Sequence, residues 1–243
     1  MSTLLRNARR YDGTVVDLLV DGGRVRWSSA GAAGVSRPDV DKLTHQELDL
    51  DGRWVGPGLW DSHVHFGQWT LVSRRLDVSA AGSAAETAAL VRDEIARHPA
   101  RSGTGAGVVL IGQGFRDGLW PDAPTPELLE FGDVPVALVS GDVHCMWTNS
   151  AALRLLGLPA DAWLLREKEA FDLNVRLSVV PDAQLDAWVL EAAATAASRG
   201  VVGIVDLEMS GAVASWQRRF GAGFRGLRVR AGVYPDDLDG VVA

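Results

Sequence analysis

The sequence predicts an α/β protein in which helices cover a parallel sheet. From residue 56 onwards, short apolar runs typical of buried strands alternate with segments of helical periodicity, and five such units follow one another. This alternation indicates either a (β/α)8 barrel or an open doubly wound sheet. No predicted strand leads through a G-x-G-x-x-G turn into a helix, which argues against a nucleotide-binding domain of the Rossmann type.

The five predicted strands end near residues 65, 112, 140, 206 and 233. Helices are expected at residues 83–98, 126–131, 149–156, 183–199 and 211–220. Ser83 and Glu86 have the spacing of a capping box at the first of these helices, and Gly157 follows the third as a C-cap. Residues 158–182 are expected to form an irregular excursion that turns near Pro181.

A small β module precedes the first of these units. Residues 2–27 read as short antiparallel strands, with turn signals at Asp12-Gly13 and Asp21-Gly22-Gly23. These strands are too few to close a core of their own, and the small, polar residues 28–46 predict a surface loop. We therefore expect a first domain at residues 1–55 and the α/β domain at residues 56–243.

Composition excludes several classes of function. The chain has 243 residues, 47% of them hydrophobic, and a net charge of −7, which argues against nucleic acid or an anionic membrane as the main partner. Its single cysteine rules out an intrachain disulfide. No apolar run reaches the ~18 residues of a membrane-spanning helix, and the N-terminus lacks a signal region, so a cytoplasmic location is expected.

The first predicted strand of the α/β domain ends in His63-Val64-His65. Because side chains alternate along a strand, the two histidines point to one face and Val64 points into apolar packing. Two imidazoles on one face are suited to a metal ion, which requires converging nitrogen ligands. A solvated or hydrogen-bonded histidine pair on an edge strand is the alternative, since His-x-His alone is a weak motif.

Other polar side chains also follow the predicted strands, where function gathers in parallel α/β folds. They are Asp61 with the two histidines, Gln113 with Arg116 and Asp117, Asp142 with His144, and Asp206 with Glu208. The alternative for each acid is that it caps a helix or is a solvated charge on a loop. Four tryptophans lie near the same ends, Trp60, Trp69, Trp120 and Trp147, and either line a pocket or pack in the core.

Four segments in order resemble motifs of the amidohydrolase superfamily. Residues 55–65, VGPGLWDSHVH, are similar to its first-strand signature, which follows a small β module in those proteins as it does here. Residues 141–153, GDVHCMWTNSAAL, and residues 164–170, LLREKEA, resemble two motifs of the branch that includes N-substituted formamide deformylases. Residues 202–206, VGIVD, resemble the strand that comes next in that branch.

This resemblance implies the first five βα units of a (β/α)8 TIM-type barrel, preceded by part of a small β-sandwich. His63 and His65 would bind one or two divalent metal ions, most often zinc, together with Glu167 or, alternatively, a carboxylated Lys168. Asp61 would accept a hydrogen bond from a histidine ring behind the metal. The expected substrate contacts are His144, Trp69, Asp117 and Trp147.

The implied activity is hydrolysis of an amide-like C–N bond in a small molecule by metal-activated water. The family supplies two further histidines and a general-base aspartate from later strands, and these lie beyond this chain. The alternative is therefore a truncated or catalytically incomplete amidohydrolase fragment that retains only binding. A small-molecule substrate and a possible homodimer are the expected partners.

Overall fold

A computed structural model describes residues 2–28, 45–99 and 108–235, together with residues 238 and 240. The chain divides into two compact units, Met1–Leu59 and Trp60–Ala243. The predicted surface loop at residues 28–46 and the glycine-rich residues 101–107 lie largely or wholly outside the described residues. Within the described part of the chain, no helix has the length and apolar character needed to cross a membrane.

The first unit is built on a four-stranded sheet. Its strands are β1 (Ser2–Arg9), β2 (Val15–Asp21), β3 (Arg24–Ser28) and β4 (His45–Asp49). They lie in the order β3-β2-β1-β4, with antiparallel hairpins between β1 and β2 and between β2 and β3. Ala8 and Leu18 are buried in one core cluster with Val16 and Leu50, while Leu4 and Leu19 form a second cluster.

The second unit contains two separate sheets. The first is three-stranded, in the order β12-β11-β5, and consists of β5 (Leu59–Val64), β11 (Val201–Asp206) and β12 (Arg228–Ala231). Helices α1 (Phe66–Val72), α5 (Asp182–Ser198) and α6 (Ala212–Gly221) accompany it. Phe66, Val189, Ile204 and Trp216 form the centre of its core. Gly203 is required on β11, since a Cβ there would lie 2.6 Å from the Trp60 ring.

The other sheet is inserted in the chain between β5 and β11. Its order is β10-β9-β8-β7-β6, with strands β6 (Leu76–Asp77), β7 (Leu110–Phe115), β8 (Val136–Ser140), β9 (Cys145–Thr148) and β10 (Leu164–Arg166). Helices α2 (Ala84–Arg97), α3 (Ser150–Leu156) and α4 (Glu167–Leu177) belong to this region, with short 3-10 turns at Asp117–Leu119 and Pro126–Leu129.

Strand β8 is buried on both faces of this inserted sheet. Val136 and Leu138 join one core cluster, while Ala137 and Val139 join the cluster on the opposite side. Its unbroken apolar run predicts this position. Strands β6, β7 and β8 are parallel, whereas β9 and β10 are antiparallel to their neighbours.

The mixed α/β class is confirmed, but the strands do not form one continuous series of five units. Only β5, β11 and β12 share the sheet of the His-x-His strand. The predicted strands near residues 112 and 140 belong to the inserted sheet, which also contains the two unpredicted antiparallel strands β9 and β10. Local periodicity identifies a strand but does not determine which sheet it joins.

Helix ends agree well with the local signals. Ser83 caps α2 by accepting the Glu86 backbone N–H, and Gly157 ends α3 in the left-handed conformation at φ 68°. Glu86 accepts from Gly82 N–H rather than from Ser83, so the capping box is not reciprocal. The predicted excursion at residues 158–182 contains β10 and α4, and helix α1 follows β5 immediately.

Candidate metal-binding site at the end of β5

His63 and His65 lie side by side at the C-terminal end of β5, an edge strand of its sheet. Their ring centroids are 5.7 Å apart and the ring planes are inclined by 56°. Val64 packs against the core of the three-stranded sheet, as strand alternation requires. His63 is exposed and His65 is half-buried, so the pair is accessible from one side.

The Nδ1 atom of His65 is buried and has no hydrogen-bond partner among the described residues. His65 occupies the N-cap position of α1 but makes no capping hydrogen bond with its side chain. A buried polar atom without a partner loses the free energy of its hydration, about 1–3 kcal/mol. A ligand on this nitrogen would supply the partner that the described residues do not.

Asp61 does not contact either imidazole ring through a hydrogen bond. Its Oδ1 instead accepts the backbone N–H of His63 at 3.0 Å. This contact differs from the predicted one, in which Asp61 fixes a histidine ring. The difference has a local cause: an aspartate readily accepts the backbone N–H two residues further along the chain.

Asp206, at the end of β11, connects this strand to α1 and α6. Its carboxylate is 2% exposed and accepts the Phe66 N–H at 3.1 Å and the Trp216 Nε1–H at 2.6 Å. The adjacent Leu207 N–H donates to the carbonyl of Val64 at 2.8 Å. Asp206 thus holds the backbone of the first residue after His65.

Glu208 follows β11 in the chain, and its carboxylate lies beside the first turn of helix α1. Its Oε2 accepts the Gln68 N–H at 3.1 Å, and a Cβ on Gly67 would approach the same oxygen to 2.9 Å. A carboxylate at a helix N-terminus is stabilised by the unpaired N–H groups there. The absence of a side chain at position 67 is what permits this approach.

Glu167 pairs with His144 in the inserted sheet, not with His63 and His65. The His144 Nδ1 and Glu167 Oε2 atoms are 2.9 Å apart, and the two side chains are 50% and 74% exposed. This hydrogen bond to Glu167 raises the pKa of His144. The cause is strand register: Arg166 of β10 lies opposite Cys145 of β9, so Glu167 N–H donates to the His144 carbonyl.

The backbone is left-handed at Glu167 itself and at Val143, the residue before His144. Val143 has φ 63° and Glu167 has φ 49°, values that a β-branched residue in particular rarely adopts. Asp142 holds the turn by accepting the Ser140 hydroxyl at 2.6 Å and the His144 N–H at 3.1 Å. The hydrogen bond from Ser140 is the main reason that the pKa of Asp142 is lowered.

Lys168 projects from the first turn of α4 and forms an ion pair with Asp172 at 2.5 Å. Its side chain is exposed, and the pair has the i, i+4 spacing of a helix surface. Among residues 2–28, 45–99 and 108–235, no group of three or more His, Cys, Asp or Glu side chains is arranged to hold a metal ion. Neither Glu167 nor Lys168 therefore completes a site with the two histidines.

Most of the chain matches a known protein family. The model of the Amidohydrolase family matches residues 46–229, which is most of the sequence. The chain belongs to the amidohydrolase family. Among curated proteins, no sequence matches it.

Two solved structures share the fold of this amidohydrolase chain. One is an uncharacterized metal-dependent hydrolase from Pyrococcus horikoshii OT3, with a TM-score of 0.71 and 21% sequence identity. The other is an uncharacterized metal-dependent hydrolase from Pyrococcus furiosus, with a TM-score of 0.69 and 21% identity. The alignments cover 100% of this chain but 50% and 52% of those proteins, so the chain spans about half of their length.

The three other predicted substrate contacts of the amidohydrolase chain lie in different places. Trp147 is 0% exposed in the core of the inserted sheet, and its Nε1–H donates to the Thr125 carbonyl at 3.2 Å. Asp117 lies 3.7 Å from Arg166 at a cavity of about 540 Å³ that Trp120 also lines. Trp69 lines another cavity, at the far side of α1.

The sequence does not indicate Arg166 as a partner of Asp117. The two residues are 49 positions apart, and only the pairing of β9 with β10 brings Arg166 to this side of the sheet. The sequence signal is Arg166 itself, a positively charged residue next to Glu167 in the third motif.

Proposed function

We propose that this chain supplies the first two metal ligands, His63 and His65, of a metal-dependent amidohydrolase. The observation that carries the proposal is the pair of adjacent imidazoles without a carboxylate partner among the described residues, one of them with a buried and unpartnered Nδ1. Family membership supports it. The expected reaction is hydrolysis of an amide-like C–N bond in a small molecule, as in the branch of the formamide deformylases.

The residues present fit a divalent metal in kind but not in number. Two imidazole nitrogens are suitable donors for zinc, whereas a catalytic zinc site uses three protein ligands. The described residues offer no third ligand to the pair. A metal held there would lower the pKa of water to about 7 and thereby supply a nucleophile at neutral pH.

The remaining residues of the site have structural or electrostatic roles in this proposal. Asp206 orients the chain that follows His65, and Glu208 places a negative charge beside it. His144, with its pKa raised by Glu167, carries a proton at higher pH than an ordinary histidine and is suited to bind a substrate oxygen.

We further propose that β5, β11 and β12 are the first strands of a barrel and that the five-stranded sheet is an insertion after its first strand. The order β12-β11-β5 supports this arrangement, because consecutive strands of a (β/α)8 barrel are neighbours. Zinc as the metal, a homodimer and a cytoplasmic location remain predictions.

Metal analysis of the purified 243-residue chain tests the proposal. We expect zinc, manganese or iron to bind the wild type at one site, loss of the metal in a His63→Ala/His65→Ala double variant, and retention in His144→Ala as the matched control. Circular dichroism establishes that each variant is folded. A wild-type chain that binds none of these metals would refute the proposal.

The second candidate is an incomplete amidohydrolase half that binds metal without catalysis. It is favoured by the absence of a third ligand among the described residues and by the coverage of about half of each related structure. Assays with N-substituted formamides and simple amides separate the two. Hydrolysis that stops on chelation supports the enzyme, and metal binding with no hydrolysis supports the incomplete half.

A further inference from the structure

A large cavity lies at the opposite end of α1 from the histidines. His65 precedes this helix, Ser73 caps its end, and the seven residues between them span roughly 10 Å at 1.5 Å per residue. The cavity has a volume of about 1110 Å³. Its walls come from α1, from α5, from the first residues of β7 and from the ends of α3 and α4.

The cavity has an excess of positive charge in a chain whose net charge is −7. Its charged lining consists of Arg74, Arg75, Arg176 and Arg199 with Glu94 and Glu191. Both glutamates already form ion pairs with arginines, Glu191 with Arg74 and Glu94 with Arg97. The walls are otherwise largely apolar, and the Arg74 guanidinium lies 4.8 Å from the centre of the Trp188 ring.

Arg75 is a partly buried cation whose hydrogen-bond partners are all neutral. Its Nη1 donates to Gln113 Oε1 and Asn174 Oδ1, both at 3.0 Å, and its Nη2 donates to Ser178 Oγ at 2.8 Å. No carboxylate among the described residues lies within ion-pair distance of it, and burial lowers the pKa of Arg75. A guanidinium has five N–H donors and stays charged in proteins, so two donors remain for an anion.

Thr70 is a second polar residue of this cavity whose side chain lacks a partner among the described residues. The residue lines the cavity and is 1% exposed, and its hydroxyl has no hydrogen-bond partner among the described residues. Buried hydroxyls are nearly always hydrogen-bonded in folded proteins. The cavity therefore combines a guanidinium that has no carboxylate partner with a buried hydroxyl that has no hydrogen-bond partner among the described residues.

We propose that this cavity binds a small organic oxyanion, with a carboxylate or phosphate head near Arg75 and an apolar body along the walls. Guanidinium groups bind both heads through paired N–H donors. Trp188 and Leu155 offer apolar surface for the body of the ligand, and the volume is large enough for a drug-sized molecule. This site goes beyond the hydrolase proposal and does not depend on a metal at the histidines.

Isothermal titration calorimetry on the complete 243-residue chain tests the proposal, with inorganic phosphate in one series and acetate, hexanoate and decanoate in another. Tighter binding of phosphate identifies a phosphate head. Affinity that rises with the length of the carboxylate identifies a carboxylate on an apolar body. Added KCl weakens binding in either case, because the attraction is electrostatic.

Arginine variants locate the site. We expect Arg75→Gln to weaken binding about tenfold and Arg199→Gln, at the exposed rim, about threefold, while Arg24→Gln in the first unit changes the affinity less than about twofold. Arg199 has no ion pair among the described residues, so Arg199→Gln breaks no such contact. This variant therefore still tests the site if Arg75→Gln does not fold. Thr70→Val is expected to weaken binding without lowering the melting temperature.

The proposal is overturned if neither phosphate nor any carboxylate binds at millimolar concentration. It is also overturned if Arg199→Gln, Thr70→Val and Arg24→Gln have equal effects, since binding would then be a general response to charge. The His63→Ala/His65→Ala variant is expected to bind the anion as the wild type does, which separates this site from the proposed metal site.

Discussion

The two sheets of residues 60–243 use the residues of their sequence motifs in opposite ways. At the end of β5, His63 and His65 have no carboxylate partner in the described structure, and one ring nitrogen is buried without a hydrogen bond. In the inserted sheet, His144 is paired with Glu167 and Asn149 is completely buried with four hydrogen bonds. The first motif leaves a ring nitrogen without a partner, whereas Asn149 of the second motif uses its hydrogen-bonding groups within the fold.

This difference separates residues that bind from residues that support. A polar group whose hydrogen bonds are satisfied internally contributes to stability, whereas one left unsatisfied costs free energy unless a ligand completes it. Loss of the second motif should therefore mainly reduce stability. Loss of the first should mainly reduce binding. The following experiments, from the largest expected effect to the smallest, test this distinction.

Asn149→Ala should have the largest effect on stability. The Asn149 Oδ1 accepts the N–H groups of Val136 and Ala152, and its Nδ2 donates to the carbonyls of Leu129 and Val134. At about 1 kcal/mol for each bond, the loss is about 4 kcal/mol. Urea denaturation measures it, and Ser150→Ala, which removes an exposed hydroxyl, should cost about 1 kcal/mol or less.

A small effect of Asn149→Ala would contradict the supporting role of the second motif. Unchanged unfolding would mean that the contacts between β8, α3 and the preceding loop hold without this side chain.

Asp206→Asn should destabilise the three-stranded sheet by about 3 kcal/mol. The change removes the charge that accepts the Phe66 and Trp216 N–H groups and turns an amide donor towards one of them. Asp61→Asn is the matched control, because the His63 N–H is the one hydrogen-bond partner of its exposed carboxylate among the described residues, and the change should cost well under 1 kcal/mol. If both variants lose the same stability, Asp206 does not hold the start of α1.

Zinc should stabilise the wild type and not the histidine variants. At a metal concentration 100 times the dissociation constant, the free energy of unfolding rises by about 2.7 kcal/mol. His65→Ala should remove this increment, and thermal denaturation with and without zinc measures it. His144→Ala should keep it, and an equal loss in both variants would show that metal binding does not distinguish the two sheets.

Glu167→Gln should lower the pKa of His144 towards its ordinary value, because the hydrogen bond to Glu167 raises it. The pKa is raised in the folded state, so the pair stabilises the fold below the ordinary histidine pKa of about 6.5, and this contribution is lost as the pH rises through the raised value. An NMR titration of the histidine rings measures the shift.

Much of the local structure could be predicted because its causes are local. The caps at Ser83 and Gly157 follow from residue type and spacing, and the buried strand β8 follows from its unbroken apolar run. Helix α1 was missed because its seven residues are too few for a helical period to be recognised. Strand β10 was missed for the same reason, since it has three residues.

The candidate site could be predicted only in part. Strand alternation is enough to place His63 beside His65 with Val64 in the core. It cannot determine the partner of Glu167, which depends on the register of β9 and β10, nor the burial of Trp147 among apolar neighbours from several elements. The Arg75 cavity has no sequence signal, because its lining comes from residues 69–199.

By itself, the sequence determined the α/β class, the helix caps, the amidohydrolase motifs and the histidine pair at the end of β5. Each of these depends on residues that lie close together in the sequence, within one helix or strand and its ends. Only the tertiary structure decided that β5 joins β11 and β12 while the intervening strands form a separate sheet. Hydrogen bonds between distant strands make that choice, and their partners are set by packing of the whole domain.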